Sequence, residues 1–227
     1  MKQLNLRILA VAALSLALSM PGSLAQAKTK PKAKAKAKPA AAAPAQPLAL
    51  SASASSSLKV LGDSTLHKWE AKATVMSISA QVEGGGKGVW EGAQSGLLKN
   101  LKLSLQVAGL KSNEGEKMDK NMRAAMEADK FGEISFVMSS YLIKDGEVVA
   151  KGALNIHGVS KDVELKGKIT SKDKGVSVNG SFDLLMSEYG IKPPVMMLGT
   201  VRVADKVSIA YDFVLEDSAA APGTAKP

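Results

Sequence analysis

Between Leu101 and Leu215 the chain is written largely in a two-residue period. Leu101, Leu103, Leu105 and Val107 are apolar, and Lys102, Ser104 and Gln106 stand between them. Ile134, Phe136 and Met138 repeat the pattern, as do Val148, Ala150, Gly152, Leu154 and Ile156. Val163, Leu165, Gly167 and Ile169 alternate with Glu164, Lys166 and Lys168. Val176, Val178, Gly180, Phe182, Leu184 and Met186 form a long stripe, and Val207, Ile209, Tyr211, Phe213 and Leu215 form the last. Side chains two apart on a strand share a face, so each stretch predicts a strand with one apolar face. Turn clusters such as Ser171-Lys172-Asp173-Lys174-Gly175 predict antiparallel meander connections between them. Leu58 to Val75 and Ile78 to Val82 read as two further strands with less clean alternation. The fold class is therefore all-β. Closing about eight such strands into a barrel removes the unpaired edges that an open sheet would expose.

One segment departs from the two-residue period. Glu114 to Lys130 places Met118, Met122 and Met126 four residues apart among charged residues. That spacing predicts one short amphipathic helix, with Ser112 or Asn113 as its N-cap. Lying between two strands, it is placed to cover one end of the barrel.

The barrel does not use the whole chain. Lys2 and Arg7, the apolar run Ile8–Met20, and the small-x-small site Ala25-Gln26-Ala27 predict a signal peptide over residues 1–27, cleaved after Ala27. Thirteen apolar residues are too few for a membrane-spanning helix, which takes roughly 20. Residues 28–49 alternate Lys with Ala, Thr and Pro and then run in Ala and Pro, which predicts a disordered linker. Its lysines make it a candidate for peripheral contact with an anionic membrane or cell wall; the plainer reading is a solvated spacer. The predicted domain is 50–217, and residues 218–227 read as a disordered tail. The net charge of +9 belongs to the leader and linker: residues 1–49 hold eight basic and no acidic side chains, which leaves 22 basic and 21 acidic in the rest. A near-neutral domain lacks the basic signature of a nucleic-acid binder.

Export together with an apolar interior directs attention to the inside of the barrel. The stripes are rich in Val, Leu, Ile and Met, and only 4% of the chain is aromatic. Gly152, Gly167 and Gly180 lie on apolar stripes and add no side-chain volume. These features point to an apolar cavity, with an ordinary filled core as the alternative. A strand of 11 residues such as Val176–Met186 spans roughly 36 Å at about 3.3 Å per residue, which suits an elongated ligand.

Catalytic chemistry has little to work with. There is no cysteine, and the two histidines are His67 and His157. Neither sits in a metal-binding spacing, and on a strand Asp63, Ser64 and Thr65 point away from a common centre with His67. Both histidines read as structural, no catalytic or metal-binding residue is assigned, and no enzyme is expected. Lys161 and Asp162 read as turn residues after His157. Trp69 reads as a core plug, and Trp90, after the Gly84–Gly88 loop, as partly exposed. Glu188-Tyr189-Gly190-Ile191-Lys192-Pro193-Pro194 reads as a loop or short helix at a barrel end. Its Glu188, Tyr189 and Lys192 are candidates to contact a ligand headgroup.

An ordered set of motifs adds to this reading. It comprises Asp63-Ser64-Thr65-Leu66-His67-Lys68-Trp69-Glu70, Met118-Asp119-Lys120-Asn121-Met122, Lys130-Phe131-Gly132-Glu133-Ile134-Ser135-Phe136, Gly152 to Lys161, Phe182 to Met186, Glu188-Tyr189-Gly190-Ile191 and Val207. Over roughly residues 58–216 the set resembles the YceI-like family. Gly132 departs from a usual proline, and Tyr189 from a common phenylalanine. The resemblance implies a lipocalin-like antiparallel barrel in the periplasm, holding a polyisoprenoid or isoprenoid quinone along its axis with no cofactor required.

The expected function is binding, transport or storage of an apolar isoprenoid-type lipid. The competing reading is a filled barrel acting as an adaptor or stress-response protein without lipid. The residues expected to meet the lipid are Leu101, Leu103, Leu105, Val107, Ile134, Phe136, Met138, Leu154, Val178, Phe182, Leu184, Met186, Tyr189, Ile209, Tyr211 and Phe213. Met138 and Met186, with Met196 and Met197, are suited to a flexible tail. Oligomerisation is left open by the sequence.

Overall fold

The computed structural model describes residues 46–84 and 87–219. The expected signal peptide, nearly all of the expected linker, and the residues beyond Ala219 lie outside the described residues.

The strands are β1 (Leu48–Ala52), β2 (Ser57–Ser64), β3 (Trp69–Ala73), β4 (Met76–Val82), β5 (Leu98–Gln106), β6 (Leu110–Ser112), β7 (Glu133–Lys144), β8 (Glu147–Ile156), β9 (Val159–Lys172), β10 (Gly175–Leu185), β11 (Val195–Met196) and β12 (Val201–Asp217). Helix α1 (Val89–Gln94) joins β4 to β5, and helix α2 (Glu116–Ala125) follows β6. Eight strands close a ring in the order β1-β4-β5-β7-β8-β9-β10-β12 and back to β1, every pair antiparallel. The all-β fold and the eight-stranded antiparallel barrel read from the sequence are both present.

The 17-residue β12 makes closure possible. One of its edges pairs with β10 from Lys206 to Glu216. The other edge serves two partners, β1 at Leu215–Asp217 and β2 between Val203 and Asp212. The β2–β3 hairpin, with β6 on its far side, thereby extends the wall at one end. This hairpin stands where Leu58–Val75 reads as a single strand. Ser64 Oγ accepts the N–H groups of Leu66 and His67 and folds the chain back before Trp69. At the other boundary, Leu48 and Ala49 belong to β1 although they read as linker, because Leu50 is buried and draws its neighbours into the ladder.

The two helices lie at opposite ends of the barrel. α1 sits at the tip of the β4–β5 hairpin, beside Val82 and Leu98; its short period was not visible in the sequence. Tyr141 fastens it, donating from its hydroxyl to the Ala93 carbonyl at 2.7 Å and accepting the Leu98 N–H at 3.1 Å. α2 is shorter than the four turns expected, and its N-cap is Gly115 rather than Ser112 or Asn113. Ser112 is still a strand residue, and its N–H donates at 2.7 Å to Asp119 in the first turns of α2. Asp119 is buried, with Lys111 Nζ 3.3 Å away. The donated Ser112 N–H holds its carboxyl below the ordinary value against the opposing effect of burial. One carboxylate thus ties the helix to the strand before it.

Candidate ligand-binding site

The inward stripes surround space that the protein does not fill. The larger chamber, of about 160 Å³, runs from Leu98, Tyr141 and Val148 near α1 down to Ile134 and Leu184. A second chamber, of about 100 Å³, lies under α2 and is walled by Met118, Met122, Met126, Met186, Met196 and Trp69, among others. Val60, Leu110, Ile134, Ile156, Leu184 and Ile209 border both chambers and form a collar between them. The two apolar chambers therefore lie end to end inside the barrel, divided by this collar.

Of the residues expected to meet a ligand, Leu101, Leu103, Leu105, Ile134, Phe136, Met138, Leu154, Val178, Phe182, Leu184, Ile209, Tyr211 and Phe213 line the larger chamber. Met186 lines the second. Two residues do not take part. Val107 is fully buried but starts a tight turn after β5, which rotates it out of the strand stripe. Tyr189 ends a similar turn at Met186–Tyr189 and borders an outer surface hollow instead. There its ring is buried beneath Lys161, whose Nζ lies 5.5 Å from the ring centroid. Burial, and secondarily Glu188, push its hydroxyl pKa up. The other headgroup candidates also face outward. Glu188 pairs with Lys161 at 2.9 Å, and Lys192 is exposed. Lys161 and Asp162 belong to β9, not to a turn.

The glycines on the stripes have a different role from the one expected. A Cβ at Gly152 would come within 2.7 Å of Phe136, and one at Gly180 within 2.7 Å of the Tyr211 hydroxyl. The carbonyl oxygens of Val137 and Lys166 come closer still, so these glycines make room for neighbouring backbone and for aromatic rings, and the space beside them is occupied. Tyr211 lays its ring across this floor and donates its hydroxyl to the Lys166 carbonyl at 2.9 Å. Burial raises the pKa of Tyr141 and of Tyr211. Both therefore remain neutral hydrogen-bond donors to the wall and turn apolar ring surface inward.

Sequence reasoning missed Tyr141 and Ile143, which line the larger chamber from the far half of β7. A bulge between Met138 and Ser140 shifts the stripe by one residue there. The helix methionines were visible as an apolar stripe, but not as chamber walls. Trp69 is buried as expected and also walls the second chamber; Trp90 is half-buried on α1. Met196 faces the chamber, whereas Met197 faces outward.

The histidines lie at separate turns. His67 Nδ1 is 3.1 Å from Glu114 Oε1, and Ser64 Oγ donates to the His67 carbonyl rather than to its ring. His157 Nδ1 lies 3.2 Å from the Tyr189 carbonyl oxygen, and its ring packs on Phe131. Among the described residues no group of three His, Cys, Asp or Glu side chains converges on a metal position.

Fold and site together define a hollow antiparallel β-barrel with two apolar chambers along its interior. The chain belongs to the YceI-like family, whose YceI-like domain matches residues 51–215. Among solved structures it is similar to BcnA of Burkholderia cenocepacia, with a TM-score of 0.56 and 16% identity over 71% of this chain and 96% of that one. It is likewise similar to a polyisoprenoid binding domain from Saccharophagus degradans implicated in plant cell wall breakdown, with a TM-score of 0.56 and 13% identity over 75% of this chain and 99% of the other. No curated protein sequence matches it.

Proposed function

We propose that the protein is an exported, periplasmic binding protein that carries or stores an apolar isoprenoid-type lipid, such as an isoprenoid quinone, within its barrel. The observation that carries this reading is the pair of apolar chambers that meet at the Leu184 collar. Hydrocarbon placed there gains roughly 25 cal/mol per Å² of apolar surface removed from water. The two tyrosine hydroxyls along the larger chamber are committed to backbone groups, so the lining offers a chain contact area rather than hydrogen bonds. Two chambers in line suit an elongated molecule better than a compact one. The resemblance in fold to a domain named for polyisoprenoid binding supports the same class of ligand. The site supplies no nucleophile–base pair, which favours binding over catalysis. Export rests on the predicted signal peptide.

The test is native mass spectrometry with organic extraction, on protein purified from the periplasm without detergent. A co-purified mass of a long isoprenoid is the expected result. Bare protein that also refuses added isoprenoid quinones would overturn the reading.

A further inference from the structure

The barrel end that holds the second chamber carries apolar surface for which the fold has no use. β11 has two faces: Met196 turns into the chamber, and Val195 beside it is 58% exposed. The turn that follows presents Met197, 70% exposed, and Leu198, wholly exposed. Both hold left-handed backbone, with φ of 51° and 53°. Side chains other than glycine and asparagine are disfavoured in that region. The most exposed large apolar side chain of the described residues is therefore held out by a strained backbone that neither packing nor local preference explains.

A second turn lies against the first. Thr65 N–H donates to the Arg202 carbonyl at 3.0 Å. Thr65 Oγ1 donates to the Thr200 carbonyl at 3.0 Å and accepts the Arg202 N–H at 3.1 Å. This β2–β3 turn presents Leu66, 66% exposed. The charges on the two segments are Lys68, Lys192 and Arg202 against Asp63 alone. None of the three cations forms an ion pair among the described residues.

We propose that this end docks on an anionic lipid bilayer. Leu66, Val195, Met197 and Leu198 enter the interfacial layer, and Lys68, Lys192 and Arg202 meet lipid phosphates. Apolar tips on protruding turns within a basic setting match a headgroup layer. Because β11 walls the chamber and bears the patch, docking sets the second chamber against the membrane. That purpose rests on the carrier reading above, whereas the docking itself does not.

The experiment is co-sedimentation of the full exported chain with vesicles of phosphatidylglycerol and phosphatidylethanolamine at physiological ionic strength, where parent and variant carry the same linker lysines and their contribution cancels in the comparison. A double variant, Met197→Asn with Leu198→Asn, removes the tips while keeping a residue type that tolerates left-handed backbone. Its partition should fall about tenfold or more, with unchanged circular dichroism and unchanged uptake of a quinone added from solvent. Equal binding by the variant, or no binding by the parent chain, overturns the proposal. So does a concentration-dependent dimer that only the variant loses, which would assign the face to a second copy. If vesicle binding holds while neither chain takes up quinone, docking stands and the carrier reading fails.

Discussion

Gly62 and Trp69 face each other across the β2–β3 ladder, and the indole lies where a side chain at position 62 would stand. The absence of a Cβ lets the ring fold flat against the strand, where it seals the wall of the second chamber. Its Nε1 is buried and has no hydrogen-bond partner. Gly62→Ala should expel the ring at a cost of about 1–3 kcal/mol, as overpacking does. Thermal unfolding measures the cost. In a Trp90→Phe background, the emission of Trp69 should shift on Gly62→Ala and again on filling the chamber. An unchanged spectrum in both cases would place the indole elsewhere.

Leu184 sits in the collar that both chambers share. If a bound chain spans the collar, Leu184→Trp should block it there, so that long isoprenoids are excluded while compact apolar dyes still enter the larger chamber. Titrating one dye and one long-chain quinone separates the outcomes. β-sheet circular dichroism should be unchanged; a lost fold would instead mean that the collar is packed solid.

Much of this arrangement could be read directly from the residues. The stripes of β8, β9 and β10 run unbroken in register with one another, and β10 with β12, so alternation was enough to place Leu154, Val178 and Phe182 inside. Where the backbone leaves the two-residue period, inference stopped. The bulge in β7 hid Tyr141 and Ile143, and turns removed Val107 and Tyr189 from their stripes. No local signal announces that a glycine floor is meant for the ring of its cross-strand partner, as Tyr211 of β12 lies over Gly180 of β10. Likewise, four-residue spacing made Met118, Met122 and Met126 an apolar face without saying what it would cover.

Asp119 supplies an acid-sensitive tie between α2 and β6. Its carboxyl is held below the ordinary value, so the ionised form is favoured by folding. The stabilisation is therefore complete above the unfolded value of about 3.9 and lost as pH falls through the lower folded value. Asp119→Asn keeps an acceptor for the Ser112 N–H but loses the charge facing Lys111. The variant should be less stable than the parent by about 1–3 kcal/mol at neutral pH. The gap should close as pH falls below about 4. Urea unfolding at several pH values checks both statements, and a gap that widens in acid would contradict them.

Tyr141 fixes the opposite end. Its hydroxyl joins the Ala93 carbonyl to the Leu98 N–H, and so holds α1 on the mouth of the larger chamber while its ring lines the interior. Tyr141→Phe keeps the ring and removes both bonds, leaving the Leu98 N–H without this partner in a part-buried setting, while the Ala93 carbonyl keeps the Gly96 N–H at 3.1 Å. The expected cost is about 1–3 kcal/mol, concentrated at α1 rather than spread over the barrel. Hydrogen exchange should show the Leu98 amide opening faster, with the amides of β9 and β10 little changed. Uptake of an apolar ligand should become faster at equal capacity, because the chamber lining is intact and only its cover is loosened. If exchange rises uniformly instead, α1 and the barrel unfold as one unit, and the hydroxyl stabilises the whole wall rather than one end.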